Sequence, residues 1–313
     1  MTDPGTVLIT GPTRNLGRHT VLAMADRPRD RRPDLLLVGR AGSDLTAVAA
    51  EARDRGATVH EIPCDLANLA DVRAAAATAR DLLGTGAVRP LHALIANAGI
   101  ISTDTRRATP DGYETTFAVN YLAHAQLIAD LLGEFTAPAR IVLLGSNTYH
   151  ANVWRKLLHV PPAAWADPVD LARPATTAPS ATASGTAYSN AKLAVLYYAH
   201  ELQRHAPDGV NVTVFEPGWM PGTALSRGTP KPAQMIGRAL ARVPGVSTPQ
   251  RSGPLLAALA LDDRWAHLRD GAFVVKSVVA EPHPIATDRE RERRLWEATA
   301  ELLRHRSHSP SSP

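Results

Sequence analysis

Thr6-Val7-Leu8-Ile9-Thr10-Gly11-Pro12-Thr13-Arg14-Asn15-Leu16-Gly17 decides the fold class. The first five residues are apolar or β-branched and read as a buried strand. A glycine-bounded turn follows, and a helical pattern then runs on through Met24. Where a strand passes through such a turn into a helix, free backbone N–H groups at the helix start face an anion, so the unit can cradle a phosphate. The middle glycine expected in such a loop is replaced by Asn15. Asn is among the few non-glycine residues that take positive φ readily. Taken alone, the loop fits a structural turn as well as a cofactor site.

Working outward, strand-like runs occupy residues 35–39, 57–62, 91–96, 140–144, 210–215 and 271–279. Helical patterns lie between and after them, over residues 43–55, 67–83, 111–133, 232–242, 249–261 and 288–304, with one more around Tyr188. Strands that alternate with helices predict an α/β protein. The expected form is a single Rossmann-type doubly wound domain, with a mainly parallel seven-stranded sheet and helices on both faces. The domain is expected to span residues 1–306, with a disordered Ser- and Pro-rich tail over 307–313. Ligands of such sheets sit beyond the carboxyl ends of the strands. Gly11, Arg40, Asp65 and Asn97 all fall at those ends.

Composition narrows the function. The 313 residues are 44% hydrophobic and 20% charged, as in an ordinary globular protein. No apolar run is long enough to span a membrane, and the first residues do not read as a secretory signal. The single cysteine, Cys64, rules out an internal disulfide and suits a reducing, cytoplasmic setting. The formal charge of +4 and pI of about 9.4 invite a nucleic-acid reading. Arginines are scattered among acids, however, and the densest run, residues 288–294, alternates in sign as a solvated helix face does. Neither a nucleic acid, a membrane nor a metal is therefore expected as a partner. Heavy use of Ala, Arg and Pro fits a GC-rich bacterial genome.

The chemistry points to Ala187-Tyr188-Ser189-Asn190-Ala191-Lys192-Leu193. On a helix, Tyr188 and Lys192 share a face one turn apart. A phenol ordinarily titrates near 10, and a neighbouring ammonium lowers that value toward useful acid–base work on an alcohol or ketone. An ordinary surface Tyr and Lys would show the same spacing. Ser146 and Tyr188 are 42 positions apart, and the intervening residues 147–184 carry Trp154, Arg155, Lys156 and Trp165. Long connections in compact domains are functional lids or linkers, and two tryptophans argue against a linker. A substrate lid is expected, with a surface decoration or subunit contact as the alternative. The second strand ends Leu37-Val38-Gly39-Arg40 with no acid at its tip. A carboxylate there would bind the ribose 2′-OH of NAD, whereas Arg40 can offer its guanidinium to a 2′-phosphate. NADP(H) is expected over NAD(H), with Arg14 clamping the phosphate from the glycine loop.

Taken together, Thr10-Gly11 with Gly17, Asp65-Leu66, Asn97-Ala98-Gly99, Asn120, Ser146, Tyr188 with Lys192, and Pro217-Gly218 resemble the short-chain dehydrogenase/reductase family over residues 5–285. Phe117-Ala118-Val119-Asn120-Tyr121-Leu122-Ala123-His124 and Cys64-Asp65-Leu66-Ala67-Asn68-Leu69 are similar to its retinol-dehydrogenase-like and protochlorophyllide-reductase-like branch. The resemblance implies hydride exchange between a nicotinamide cofactor and a small ketone, aldehyde or alcohol. It implies Tyr188 as general acid or base, Lys192 as its partner and ribose ligand, Ser146 on the substrate oxygen, and Asn120 supporting a water relay. For the cofactor it implies Gly11, Thr13, Arg14, Asn15, Leu16 and Gly17 at the pyrophosphate loop, Asp65 and Leu66 at the adenine, and Asn97, Ala98 and Gly99 beside the ribose. Pro217, Gly218 and Thr223 would flank the nicotinamide amide. A homodimer or homotetramer is implied by analogy. A light-driven protochlorophyllide reductase is disfavoured, because Cys64 lies at the adenine end. The rival from another class is a cofactor-binding sensor or regulator without turnover.

Overall fold

The computed structural model describes residues 4–151, 161–220 and 246–304. Strand β1 (Thr6–Thr10) is buried along its whole length and leads through Gly11 to helix α1 (Asn15–Ala25). Strand β2 (Asp34–Gly39), helix α2 (Ser43–Asp54), strand β3 (Val59–Pro63), helix α3 (Leu69–Gly84) and strand β4 (Leu91–Ala96) complete the first half. The second half begins with the short helix α4 (Thr115–Phe117), which passes through a π-helical turn (Ala118–Leu122) into α5 (Ala123–Leu131). Strand β5 (Phe135–Leu144) follows, then the short α6 (Pro168–Leu171), the 25-residue α7 (Ala181–His205) and β6 (Val210–Glu216). Helix α8 (Pro249–Leu261), strands β7 (Ala272–Val275) and β8 (Val278–Val279), and helix α9 (Arg289–Arg304) end the described chain.

The strands form one sheet in the order β3-β2-β1-β4-β5-β6-β7-β8, parallel throughout except for the last pair. Strands β1 to β7 each split their side chains between two cores. Leu8, Leu36, Leu94, Ile141 and Leu143 enter one. Val7, Ile9, Leu35, Leu37, Ile95 and Val142 enter the other. Burial on both faces is what continuous apolar runs require. The strand order reverses between β1 and β4, which opens the crevice where doubly wound sheets bind ligands.

Three elements differ from expectation. The sheet has eight strands, not seven: Lys276 takes φ 57° and turns the chain back, so residues 271–279 form a hairpin with Val275 opposite Val278. The helix expected from residue 111 starts at Thr115, because Gly112 sits at φ 79° and the Glu114 carboxylate caps the Thr116 and Phe117 amides. Strand β5 begins five residues early and pairs Phe135 with Leu91. The expected helix over 232–242 and the tail at 307–313 lie outside the described residues.

Candidate active site

The glycine loop turns at residues that carry no side chain or tolerate positive φ. Gly11 takes φ 64° and Asn15 φ 46°, the left-handed conformation that Asn tolerates. A Cβ on Gly17 would lie 2.1 Å from the Gly11 carbonyl oxygen, so no other residue fits there. Asn97, at the tip of β4, donates its side-chain amide to the carbonyls of Thr10 and Gly11, each at 3.0 Å. Its side chain therefore fixes the loop from behind. Ala98 packs its backbone against Gly11. Leu16 is buried in α1. At the tip of β3, Leu66 is buried and the Asp65 carboxylate accepts from the Ala67 amide at 3.0 Å. Arg40 is exposed after β2. Arg14 pairs with Asp44 in the first turn of α2 through two bonds, 2.5 and 3.2 Å. Such a bare, positively flanked turn at a helix start fits a dinucleotide pyrophosphate.

Tyr188 and Lys192 lie on the buried face of α7. The Lys192 Nζ donates to the Leu144 carbonyl at 2.7 Å and stands 5.6 Å from the centre of the Tyr188 ring. Burial lowers the Lys192 pKa to about 8, opposed in part by the negative charge of Glu216. Ser146 follows Leu144 by two residues and is buried. Asn120 lies within the π turn, and its side chain grips the backbone of Ile100 from both sides: Oδ1 accepts from the amide at 2.7 Å and Nδ2 donates to the carbonyl at 2.8 Å. A Cβ on Gly99 would stand 3.3 Å from Asn120 Oδ1 and 3.9 Å from Lys192 Nζ. The strip from Asn97 to Ile100 thus runs from the glycine loop to the Tyr188–Lys192 pair. Pro217 and Gly218 (φ 83°) turn the chain at the end of β6, and Trp219 beside them is half exposed. Thr223, Trp154, Arg155 and Lys156 lie outside the described residues.

Three polar residues here were given no role from the sequence. Thr10 Oγ1 accepts from the amides of Asn97 (3.1 Å) and Ala98 (3.0 Å). Its hydroxyl proton is then left for His124 Nε2 at 2.9 Å. That fixes the imidazole with its proton on Nδ1, which donates to the Asn120 carbonyl at 3.3 Å. Burial, with the Lys192 charge adding to it, lowers the His124 pKa to about 4 and keeps the ring neutral. The third is Glu216, a buried carboxylate at the tip of β6. Its Oε2 accepts from the Asn147 amide at 2.6 Å and its Oε1 from the Gly218 amide at 3.0 Å. The available signals were a His four residues after Asn120 and an acid closing an apolar strand.

The family profile described as short chain dehydrogenase matches residues 5–155. A polyprenol dehydrogenase of Mus musculus is 30% identical over 312 residues, covering 94% of this chain and 82% of that one. The chain belongs to the short-chain dehydrogenase family. It is likewise 30% identical to retinol dehydrogenase 13 of Homo sapiens, over 96% of this chain and 86% of that one. These relatives match the retinol-dehydrogenase-like branch and make the chain an oxidoreductase. Solved family structures share the fold. A short chain dehydrogenase from Burkholderia cenocepacia in complex with NADP superposes at TM-score 0.63 with 19% identity, covering 88% of this chain and 97% of that one. A blue fluorescent protein from a metagenomic library, in complex with NADPH, superposes at 0.62 with 22% identity, over 87% and 96%.

Proposed function

We propose that the chain is an NADP(H)-dependent oxidoreductase that interconverts a ketone or aldehyde and an alcohol, with Tyr188 moving the proton. The carrying observation is the buried Lys192 ammonium, pinned by the Leu144 carbonyl at 2.7 Å and held 5.6 Å from the Tyr188 ring. A fixed cation beside a phenol favours its ionised form, so one pair serves both directions of proton transfer. Tyr188 donates its phenolic proton to the carbonyl oxygen in reduction and takes the hydroxyl proton in oxidation. Ser146 steadies the same oxygen as it gains negative charge. Lys192 holds the phenolate and the nicotinamide ribose, while Asn120 and Gly99 shape the wall beside them. The Gly11–Gly17 loop carries the pyrophosphate, Asp65 and Leu66 border the adenine, and Pro217 and Gly218 flank the amide. The cofactor, when bound, supplies the hydride.

Arg40, with no carboxylate beside it at the tip of β2, supports NADP(H), as do the NADPH and NADP in the two similar structures. The half-exposed Trp219 beside the Pro217–Gly218 turn, together with relatives named for retinol and polyprenol, favours an apolar substrate. The long connection over residues 147–184 is read as the cover of that pocket.

NADPH consumption with a panel of ketones and aldehydes of rising chain length tests the reading. Tyr188→Phe keeps the ring and removes the titrating oxygen, so turnover should fall by about 10²–10⁴-fold while cofactor affinity holds. Near-normal turnover in that variant, or cofactor binding with no turnover in the wild type, would overturn it.

A further inference from the structure

Glu216 is 5% exposed, a carboxylate taken out of water at the heart of the site. Buried carboxylates persist where fixed donors replace the lost water. Two backbone amides do so here, and they come from different loops. Asn147 N–H, one residue after Ser146, reaches Oε2 at 2.6 Å. Gly218 N–H, in the turn after β6, reaches Oε1 at 3.0 Å. The backbone of Glu216 is held as well, since its carbonyl accepts from the Lys276 amide at 2.8 Å. The fork therefore joins the segment that presents Ser146 to the turn that closes the cofactor end of the site. An uncharged apolar residue, ordinary at the end of a buried strand, would leave both amides without this acceptor.

The charge acts beyond the two amides. Among the titratable groups around it, Lys192 on α7 gains from it and Tyr149, after β5, is pushed further from ionising. Lys276 stands on the β7–β8 turn, where its Cε would meet a Cβ on Gly218 at 2.7 Å. His124 on α5 feels the Lys192 charge and is kept neutral by its burial. The group of charges is thus one buried carboxylate set among cations, with the catalytic ammonium among those that respond to it.

We propose that Glu216 is a positioning residue: its carboxylate locks the Ser146 loop to the Pro217–Gly218 turn, and its buried negative charge bears on the Lys192 ammonium, which the Leu144 carbonyl of the same segment holds. The proposal rests on the reading of Tyr188 and Lys192 as the proton-moving pair. A carboxylate near an ammonium favours the charged form, so removing its charge makes Lys192 lose its proton at lower pH. Glu216→Gln removes the charge and turns one acceptor into a donor that faces an N–H. Glu216→Asp keeps the charge but is one methylene too short to span both amides.

The chain has four lysines, Lys156, Lys192, Lys231 and Lys276, so labelling lysine Cε with ¹³C gives four signals to follow by NMR against pH. Lys192→Met identifies the signal of interest. In Glu216→Gln its midpoint should fall by at least about half a pH unit, and in Glu216→Asp it should stay within roughly 0.3 of wild type. A Lys192 midpoint unmoved by Glu216→Gln overturns the charge assignment. This readout needs no turnover: a moved midpoint in a protein that reduces no carbonyl would sink the functional reading and leave this one standing. Glu216→Asp should cut kcat about tenfold with the alkaline limb of its pH profile in place. Wild-type kcat and KM in Glu216→Asp overturn the lock, and that result decides the matter even where Glu216→Gln does not fold.

Discussion

Lys192 is 2% exposed, and the Leu144 carbonyl at 2.7 Å stands in for water its ammonium has lost. Its pKa falls to about 8 from the ordinary 10.5, chiefly through burial. Between those two values the unfolded chain binds a proton that the folded chain does not, so stability rises as pH climbs from about 8 to about 10.5. Below that window the folded protein carries the full cost of the buried charge, on the order of 3 kcal/mol. Lys192→Met should therefore abolish turnover yet melt at or above the wild-type temperature at pH 7. Calorimetry at pH 7 checks this, and a drop of several degrees would show that the Leu144 bond outweighs the desolvation. The same residue-level contest governs cofactor choice. Arg14 and Asp44 pair beside the glycine loop proposed to hold the cofactor, but their side chains are 55% and 57% exposed. Exposed pairs are worth only about 0–1 kcal/mol, so a dianionic 2′-phosphate can draw Arg14 away from Asp44 and share it with Arg40. Arg40→Ala should weaken NADPH at least about tenfold while NADH changes little. Equal losses for the two cofactors in a titration would remove Arg40 from the phosphate site.

The π-helical turn at Ala118–Leu122 sets where Asn120 and His124 stand. Such turns widen a helix locally and are frequent at functional sites. Here His124 ties the Asn120 carbonyl to Thr10, so α5 and the end of β1 are joined through one neutral imidazole. With a folded pKa of about 4 against an ordinary 6.5, this ring resists a proton that the unfolded chain accepts. Stability is then complete above about pH 6.5 and is lost progressively as pH falls toward 4. His124→Asn should flatten that part of the stability–pH curve, measured by urea unfolding from pH 7 to pH 4. An unchanged slope would assign the acid sensitivity to other groups. Elements of this kind also mark how far the sequence could be read. The strands and the glycine loop were legible because burial on both faces leaves an apolar run and because Gly17 admits no side chain. Asn97-Ala98-Gly99, Tyr188 and Lys192 were legible as a combination of residue types at set spacings. The π turn was not, since its residues fit a regular helix equally well. Nor was the β7–β8 hairpin, because Lys276 in a left-handed conformation carries no glycine signal. Glu216 and His124 were invisible as participants, since each joins a group far off in the chain, the Asn147 amide and the Thr10 hydroxyl, that no local pattern marks.

Across the whole molecule, the connection between Ser146 and Tyr188 divides into two parts with different work. From residue 161 on, the connection is bound to the body of the fold. The Asp167 carboxylate takes both arms of Arg294 on α9, at 2.7 and 3.0 Å. Trp165 meets Tyr197 edge to face at 4.9 Å. Tyr197 is nine positions beyond Tyr188, half a turn out of phase on α7, so Trp165 packs on the side of that helix turned away from the catalytic pair. Ala172 and Ala175 bond the backbone at Glu114 and Thr105, closing the segment over the start of α4. A Cβ on Gly185 would strike Pro161 at 2.6 Å, and the Ser189 hydroxyl donates to the Pro161 carbonyl at 2.8 Å. The chain is thus clamped beside Tyr188 at residue 161. Trp165 belongs to the body of the fold, and the lid proposed over 147–184 is left to the rest of that connection. Trp165→Ala should lower stability by roughly 1–3 kcal/mol with KM within about twofold of wild type, because it removes packing remote from the substrate. Replacing residues 152–160 by a short Gly-Ser link should do the reverse: a melting temperature near wild type, a raised KM or broadened substrate range, and unchanged NADPH affinity. Unchanged kinetics in the link variant would reduce the insertion to a brace for α7 and α9, and the apolar substrate would then have to be held by Trp219 and the Pro217–Gly218 turn.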